Sequence, residues 1–143
     1  MDFGVILGGY CSDMTRTVHV GRVPRWGCEV YRVVRQAQEE AIARVQPGVR
    51  AGEVDCAARN VLQRAGLGRY FTHSTGHGLG LEIHELPRLG KGQAEVLEPG
   101  MVVTIEPGVY VAGRGGVRIE DVVVVTRRGC EVLTPATKEL IEL

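Results

Sequence analysis

No stretch of this chain approaches the ~20 consecutive apolar residues that a membrane-spanning helix needs, which excludes such a segment. An excess of charge of either sign is also missing. Seventeen basic and 17 acidic residues cancel, and no basic run or aromatic–basic interleaving marks a nucleic-acid surface. Cysteine is sparse and scattered: Cys11, Cys28, Cys56 and Cys130 show no CxxC spacing, so a zinc knuckle or a disulfide framework is excluded. They are expected to be free thiols, most of them packed as small apolar side chains. A signal peptide is absent as well, since Met1 leads straight into an acidic, glycine-containing strand, and this points to the cytoplasm. What remains is 143 residues, 44% hydrophobic and 24% charged, which suits one soluble domain around a single core.

Against that ordinary background, five residues of metal-ligand type stand on strand-like, glycine-framed sequence: Asp2, Asp13, His77, Glu106 and Glu120. Their segments read MDFG, CSDMTRT, HSTGHGLGLEIHE, TIEPGVY and GGVRIEDVVVV. A carboxylate at a half-buried strand position costs free energy unless a cation or hydrogen bonds pair it. Four carboxylates and one imidazole also make up the ligand set that a pair of divalent metals needs. A weak internal repeat explains why the acids come in pairs. Asp2-Phe3-Gly4-Val5 resembles Glu106-Pro107-Gly108-Val109; Asp13 follows Asp2 by 11 residues, and Glu120 follows Glu106 by 14. Each copy reads as a β-hairpin with one carboxylate on either arm, with His77 on a strand between the two hairpins.

The rest of the chain reads more coarsely. Residues 2–20 form a hairpin turning near Gly8-Gly9, and 21–27 are a connector. Residues 28–46 are the clearest helix, with Val30, Val33, Val34, Ala37, Ala41, Ile42 and Val45 on one stripe at the 3.6-residue period. Pro47-Gly48 ends it. A second helix runs from about Gly52 to Ala65. Residues 70–86 mix strand with tight glycine turns, and 87–100 are a loop. Residues 101–112 and 117–127 are two long strands, and the tail from 135 is a short helix. Helices followed by a mostly antiparallel sheet make an α+β domain. Gly76, Gly78 and Gly80 do not form a phosphate loop, because no lysine or helix start follows. They are expected to allow close backbone approach to metals.

The segments DFG, YCSDMTRT, AGEVD, HSTGHGLGLEIHE, EPGMVVTIEPGVY and GVRIEDVVVVT resemble, in order and spacing over nearly the whole chain, the Xaa-Pro aminopeptidase and prolidase branch of the pita-bread metallopeptidases. The resemblance implies hydrolysis of the bond between an N-terminal residue and proline in a dipeptide or longer peptide. It also implies two divalent ions: Asp2 on one, His77 and Glu106 on the other, and Asp13 and Glu120 bridging both. One nitrogen among many oxygens suits manganese, with cobalt or zinc as alternatives. Glu106 would also be the general base. His73 and His84 match pocket histidines that hydrogen-bond the substrate carbonyl. Arg118 would share a strand face with Glu120 and partner a ligand carboxylate or the proline site. Glu82 and Glu85 are read as non-ligands, and His19 as a surface or strand residue.

Relatives carry further sequence ahead of the first aspartate. Residues 1–143 are therefore expected to be one N-terminally truncated catalytic domain, holding the second half of the fold plus the last hairpin of the first. Asp2 beside the chain end is expected to fray and weaken metal occupancy. The apolar faces of the 28–46 helix and the 101–127 hairpin are expected to be uncovered, favouring a homodimer or association with a missing N-terminal segment. The alternative to the peptidase is an inactive half-domain that binds metal weakly or pairs with another chain.

Overall fold

A computed structural model describes residues 1–143. Five two-residue strands come first: β1 (Asp2–Phe3), β2 (Ile6–Leu7), β3 (Tyr10–Cys11), β4 (Met14–Thr15) and β5 (Val18–His19). Helices α1 (Arg25–Arg44) and α2 (Ala51–Arg64) follow, then a 3₁₀ turn at Gly68–Tyr70. The remaining strands are β6 (Gly76–Gly78), β7 (Glu85–Leu89), β8 (Val102–Ile105), β9 (Gly108–Val111), β10 (Gly115–Arg118), β11 (Asp121–Val125), β12 (Cys130–Val132) and β13 (Ile141–Glu142).

The N-terminal hairpin forms as its pattern suggests, with β1 on β4, β2 on β3, and Gly8 and Gly9 turning at φ 60° and 89°. Those positive φ values are open to glycine at no steric cost. Its first strand is tied down at Met1. The Met1 ammonium donates to the Arg16 carbonyl at 2.9 Å, and the Arg16 N–H returns the bond to Met1 at 2.9 Å.

Both helices form within a few residues of their expected ends. α1 begins three residues early, after Pro24 in extended conformation, and Arg25 pairs with Glu29 across one turn. It stops at Arg44, ahead of Pro47 and of Gly48 at φ 87°. At the start of α2, the Glu53 carboxylate accepts from the Arg50 N–H, and Gly66 at φ 73° ends the helix. The two helices pack on each other and on an antiparallel five-stranded sheet ordered β12-β11-β8-β6-β7, α1 against β8 and α2 against β7. Val30, Val34, Ala37, Ala41 and Val45 are buried there with Val103, Ile105, Val123 and Val125.

Several expectations fail for tertiary reasons. The apolar faces of α1 and of the 101–127 hairpin are closed against each other rather than uncovered. The exposed apolar side chains lie instead at Phe3, Val5, Ile6, Leu7 and Tyr10, and at Leu81, Ile83 and Leu86. The two long strands each break in the middle, between β8 and β9 at Glu106-Pro107 and between β10 and β11 at Ile119-Glu120. β6 lies between β7 and β8 and pairs with neither arm of the N-terminal hairpin, whose Cys11 N–H donates to the Gly80 carbonyl just past β6. β7 occupies the start of the expected 87–100 loop.

The tail is not helical. Ile141–Glu142 runs parallel to β5, while the carbonyls of Lys138 and Glu139 accept from the Tyr31 hydroxyl, which an intrahelical pattern would not leave free. Cys28 and Cys56 are exposed rather than packed, because their positions fall off the buried stripes of the helices.

The glycines around His77 allow close approach of the neighbouring strands. A Cβ on Gly76 would lie 1.8 Å from the Thr104 carbonyl oxygen, and one on Gly78 would lie 2.2 Å from that of Leu86. Gly76→Ala must therefore push β6 off β8. The expected cost is about 2–4 kcal/mol, read as a lower urea midpoint; an unchanged midpoint would mean that the sheet accommodates the methyl group.

Candidate metal centre and active-site cleft

The strand breaks are where the acids sit. Glu106 follows β8 and Glu120 precedes β11, and because β8 and β11 are adjacent and antiparallel, with Ile105 opposite Asp121, the two carboxylates arrive side by side. β6 brings His77 to the same place from the other side of β8. The turn before β4 brings Asp13, and the Glu120 N–H is tied to the Thr15 carbonyl at 3.1 Å. The result is one cluster. His77 Nε2 is 3.2 Å from Glu106 Oε1 and 3.9 Å from Asp13 Oδ2, and ligand atoms of Asp13, His77 and Glu120 all lie within 4.8 Å of one another.

Hydroxyls aim the cluster. His77 Nδ1 lies 2.9 Å from the Gly78 carbonyl, which can only accept, so a neutral ring carries its proton on Nδ1 and turns Nε2 to the cluster. Thr104 Oγ1 accepts from the His77 N–H at 3.0 Å and donates to Glu106 Oε1 at 3.1 Å. Thr15 Oγ1 donates to Glu120 Oε2 at 2.6 Å.

Asp2 stands at the rim, its side chain 56% exposed, and is ion-paired with Arg118. The same guanidinium donates to Thr15 Oγ1 at 3.0 Å and to the Tyr110 hydroxyl at 3.2 Å. Arg118 thus reaches Glu120 through Thr15, as a partner of the acids.

The charge balance shows what the cluster lacks. Glu120 is 2% exposed, and burial, reinforced by the Glu106 charge, pushes its carboxyl up to about 8. Burial and the nearby Asp2 raise Asp13. For His77, burial acts downward, but the hydrogen bonds to Glu106 and Gly78 outweigh it and raise the imidazole. Acids crowded and dried in this way resist ionisation unless cations join them, so the donor set fits divalent metal.

All three shifts have one sign. A group whose folded value is raised gives stability that is complete below its unfolded value and is lost as pH climbs through the folded one. The chelator-treated protein is therefore expected to melt at falling temperature between about pH 5 and 9, Glu120 alone contributing on the order of 4 kcal/mol across that window. A melting temperature that rises through this range would remove the argument.

A cavity of about 570 Å³ opens beside the cluster, lined by His73, His77, His84, Glu106 and Arg118 among others. The His84 ring packs edge-on against His77 at 4.4 Å and has no protein partner at its nitrogens. His73 is more constrained. Its Nδ1 donates to the Ser74 carbonyl at 2.8 Å, so a neutral ring accepts from the Tyr110 hydroxyl at Nε2, also at 2.8 Å. Glu85 lines the cavity, but its Oε1 is taken by the Glu82 N–H at 2.8 Å, and both acids stay outside the cluster. His19 lies in β5, bonded to the Gly21 carbonyl.

Thr15, Thr104 and Tyr110 were not among the residues picked out from sequence. The available signal was spacing: Thr15 follows Asp13 by two and Thr104 precedes Glu106 by two, the period that puts strand side chains on one face.

The sequence model of metallopeptidase family M24 matches residues 1–127. The chain is 50% identical over its whole length to an uncharacterized peptidase, YqhT, of Bacillus subtilis. It is 46% identical over 99% of its length to a Xaa-Pro dipeptidase of Pyrococcus horikoshii. The structure of a Xaa-Pro dipeptidase from Bacillus anthracis superposes on 99% of the chain with a TM-score of 0.98 at 50% identity. In all three the chain spans 40% of the relative's own length. The fold is the α+β pita-bread fold, represented by its second half and the last hairpin of its first.

Proposed function

This chain belongs to metallopeptidase family M24, and we propose on that premise that it carries out divalent-metal-dependent hydrolysis of the bond between an N-terminal residue and proline. The observation that carries the reading is the convergence of Asp13, His77, Glu106 and Glu120 on one open cleft whose buried acids are short of positive charge. The names of the similar Xaa-Pro dipeptidases supply the substrate class.

In this reading Asp2, Asp13, His77, Glu106 and Glu120 would together hold the two ions. The oxygen-rich set suits manganese. Bound there, the ions would supply Lewis-acid polarisation of the scissile carbonyl and a lowered pKa for water.

The remaining work falls to the chain's own groups. Glu106 takes the proton released on attack at its free carboxylate oxygen, the other being held by Thr104. His84, with both nitrogens unengaged, is the readier donor to the developing oxyanion; His73 can donate there only as an imidazolium or once Tyr110 lets go. Arg118 keeps Asp2 and, through Thr15, Glu120 aimed at the cleft.

The decisive experiment supplies manganese to the chain and follows release of the N-terminal residue from Ala-Pro and from longer Ala-Pro peptides. Turnover that disappears with chelator is expected, and the two substrate lengths distinguish dipeptidase from aminopeptidase. Bound metal without turnover of either peptide would reduce the chain to a metal-binding half-domain.

A further inference from the structure

Two residues of α2, Asp55 and Arg59, form an ion pair whose outward bonds all lead toward the cleft. Asp55 is 1% exposed and accepts four hydrogen bonds. Two come from Arg59 Nε and Nη2, both at 2.8 Å, and two from Thr75, its N–H at 3.1 Å and its hydroxyl at 2.9 Å. The Arg59 guanidinium also donates to the carbonyls of Phe71, at 3.2 Å, and His73, at 3.0 Å. Its face lies over the Phe71 ring at 4.2 Å, and that ring meets His73 edge-on at 5.1 Å. Outside the pair itself, every side-chain hydrogen bond thus ends on residues 71–75, the segment leading into β6.

That segment has little else to hold it. Residues 72–74 form no backbone–backbone hydrogen bond, and the one bond their backbone receives from another element is Arg59's to His73. A cavity of about 360 Å³ lies against Thr72, His73 and Ser74, so packing does not fix them on that side. The segment also meets the cleft at two points. His73 lines it, and the Thr75 carbonyl accepts from the Glu106 N–H at 2.7 Å. Without the pair, movement toward the second cavity would displace His73 and pull at the Thr75–Glu106 bond while the core stayed in place.

We infer that Asp55 and Arg59 are positioning residues for hydrolysis, holding 71–75 so that His73 and the Glu106 main chain keep their places in the cleft. This role presupposes the proposed peptidase reading. Neither residue is hydrogen-bonded to Asp2, Asp13, His77, Glu106 or Glu120, so the pair acts on the reaction and not on the metal. A buried ion pair adds little net stability over apolar residues of the same size. Placement is what its four-donor geometry supplies, and a misplacement of about 1 Å costs on the order of a hundredfold in rate.

The test uses Asp55→Asn, which turns an amide group toward the donors, and Arg59→Lys, which keeps the charge but loses the planar fork. Arg59 is 25% exposed, so its variant carries the test should Asp55→Asn fail to fold. On Ala-Pro and longer Ala-Pro peptides, each manganese-loaded variant is expected to lose about 10- to 100-fold in kcat, with KM and manganese affinity within about threefold of the parent. In the chelator-treated chain, the Glu106 amide should exchange its hydrogen faster relative to the amides of β8, a readout that needs no turnover. Val34→Ala, a change in the buried core of α1, is the control for lost stability. Compared at the same margin below its melting temperature, it should leave kcat and the relative Glu106 exchange unchanged. Variants no slower than this control, slower only through lost manganese, or with unchanged Glu106 exchange overturn the positioning role and leave the peptidase reading standing. A parent chain that binds manganese and cleaves neither kind of peptide overturns both.

Discussion

The Glu120→Gln variant is expected to melt at higher temperature than the unmodified chain at pH 8 without metal, and to gain nothing when manganese is added. The two halves of this result have opposite signs because Glu120 has opposite effects in the two states. Without a cation, its carboxyl is buried beside Glu106 and pushed up to about 8, so keeping it in the fold at alkaline pH is costly. The amide removes that cost and can still accept the hydrogen bond from Thr15. In the proposed reading the same carboxylate, at 2% exposed the most deeply buried of the cluster, supplies charge that would hold the ion. A ligand at a hundredfold excess over its dissociation constant stabilises the fold by about 2.7 kcal/mol, and the variant should forfeit most of that. Thermal melts with and without manganese read both effects. A manganese shift as large in the variant as in the parent would take Glu120 out of the metal site.

The second large effect is expected one residue away. Asp121 points to the opposite side of the strand and is fully buried, away from the cleft. Its Oδ1 accepts from Arg16 at 2.7 Å and from Thr134 at 3.0 Å, and its Oδ2 accepts from Gln38 at 2.8 Å and pairs with Lys138 at 2.6 Å. Burial alone would raise this carboxyl, but the bonds from Lys138 and Arg16 outweigh it and hold the group below its usual range.

Asp121→Asn leaves the Arg16 and Lys138 cations without their counter-charge, and the expected loss is about 3–5 kcal/mol in urea unfolding. Replacing Arg16, Asp121 and Lys138 together by apolar residues should cost less than the single change, because no unpaired charge stays behind. A single variant within about 0.5 kcal/mol of the parent would show the cluster to be dispensable. Arg16 also donates to the Glu120 carbonyl at 2.5 Å, so loosening this network should blunt the manganese response as well. The sequence prints Glu120 and Asp121 as neighbouring acids. Only the strand's alternation gives one to the cleft and the other to the core.

Much of the architecture could be read locally. The apolar stripe of α1, the Pro47-Gly48 stop and the Gly8-Gly9 turn each depend on a few consecutive residues, and each appears at or near its expected place. The five ligand-type residues could be singled out for a related reason, since carboxylates on glycine-framed strands conflict with local preference and such conflicts gather at sites. The tail failed that kind of reading. Read locally it is a short helix, yet Lys138 is drawn to Asp121 and Gln38 and Ile141 to Val18, and those contacts override a weak local propensity. The closed apolar faces of α1 and the 101–127 hairpin were likewise invisible, since each supplies the other's cover from far along the chain.

By itself, then, the order of residues determined which side chains are of metal-ligand type, where the helices lie and where the chain turns, because these depend on residue chemistry, dihedral preference and periods of two or 3.6 residues. The tertiary structure decided what those side chains meet. Thr15 reaches Glu120 across 105 residues, Arg118 reaches Asp2 across 116, and Asp55 reaches Thr75 across 20. Such pairings have no local signature. They exist only once burial of the common core has set the strands side by side, and each distance depends on the packing of the whole domain.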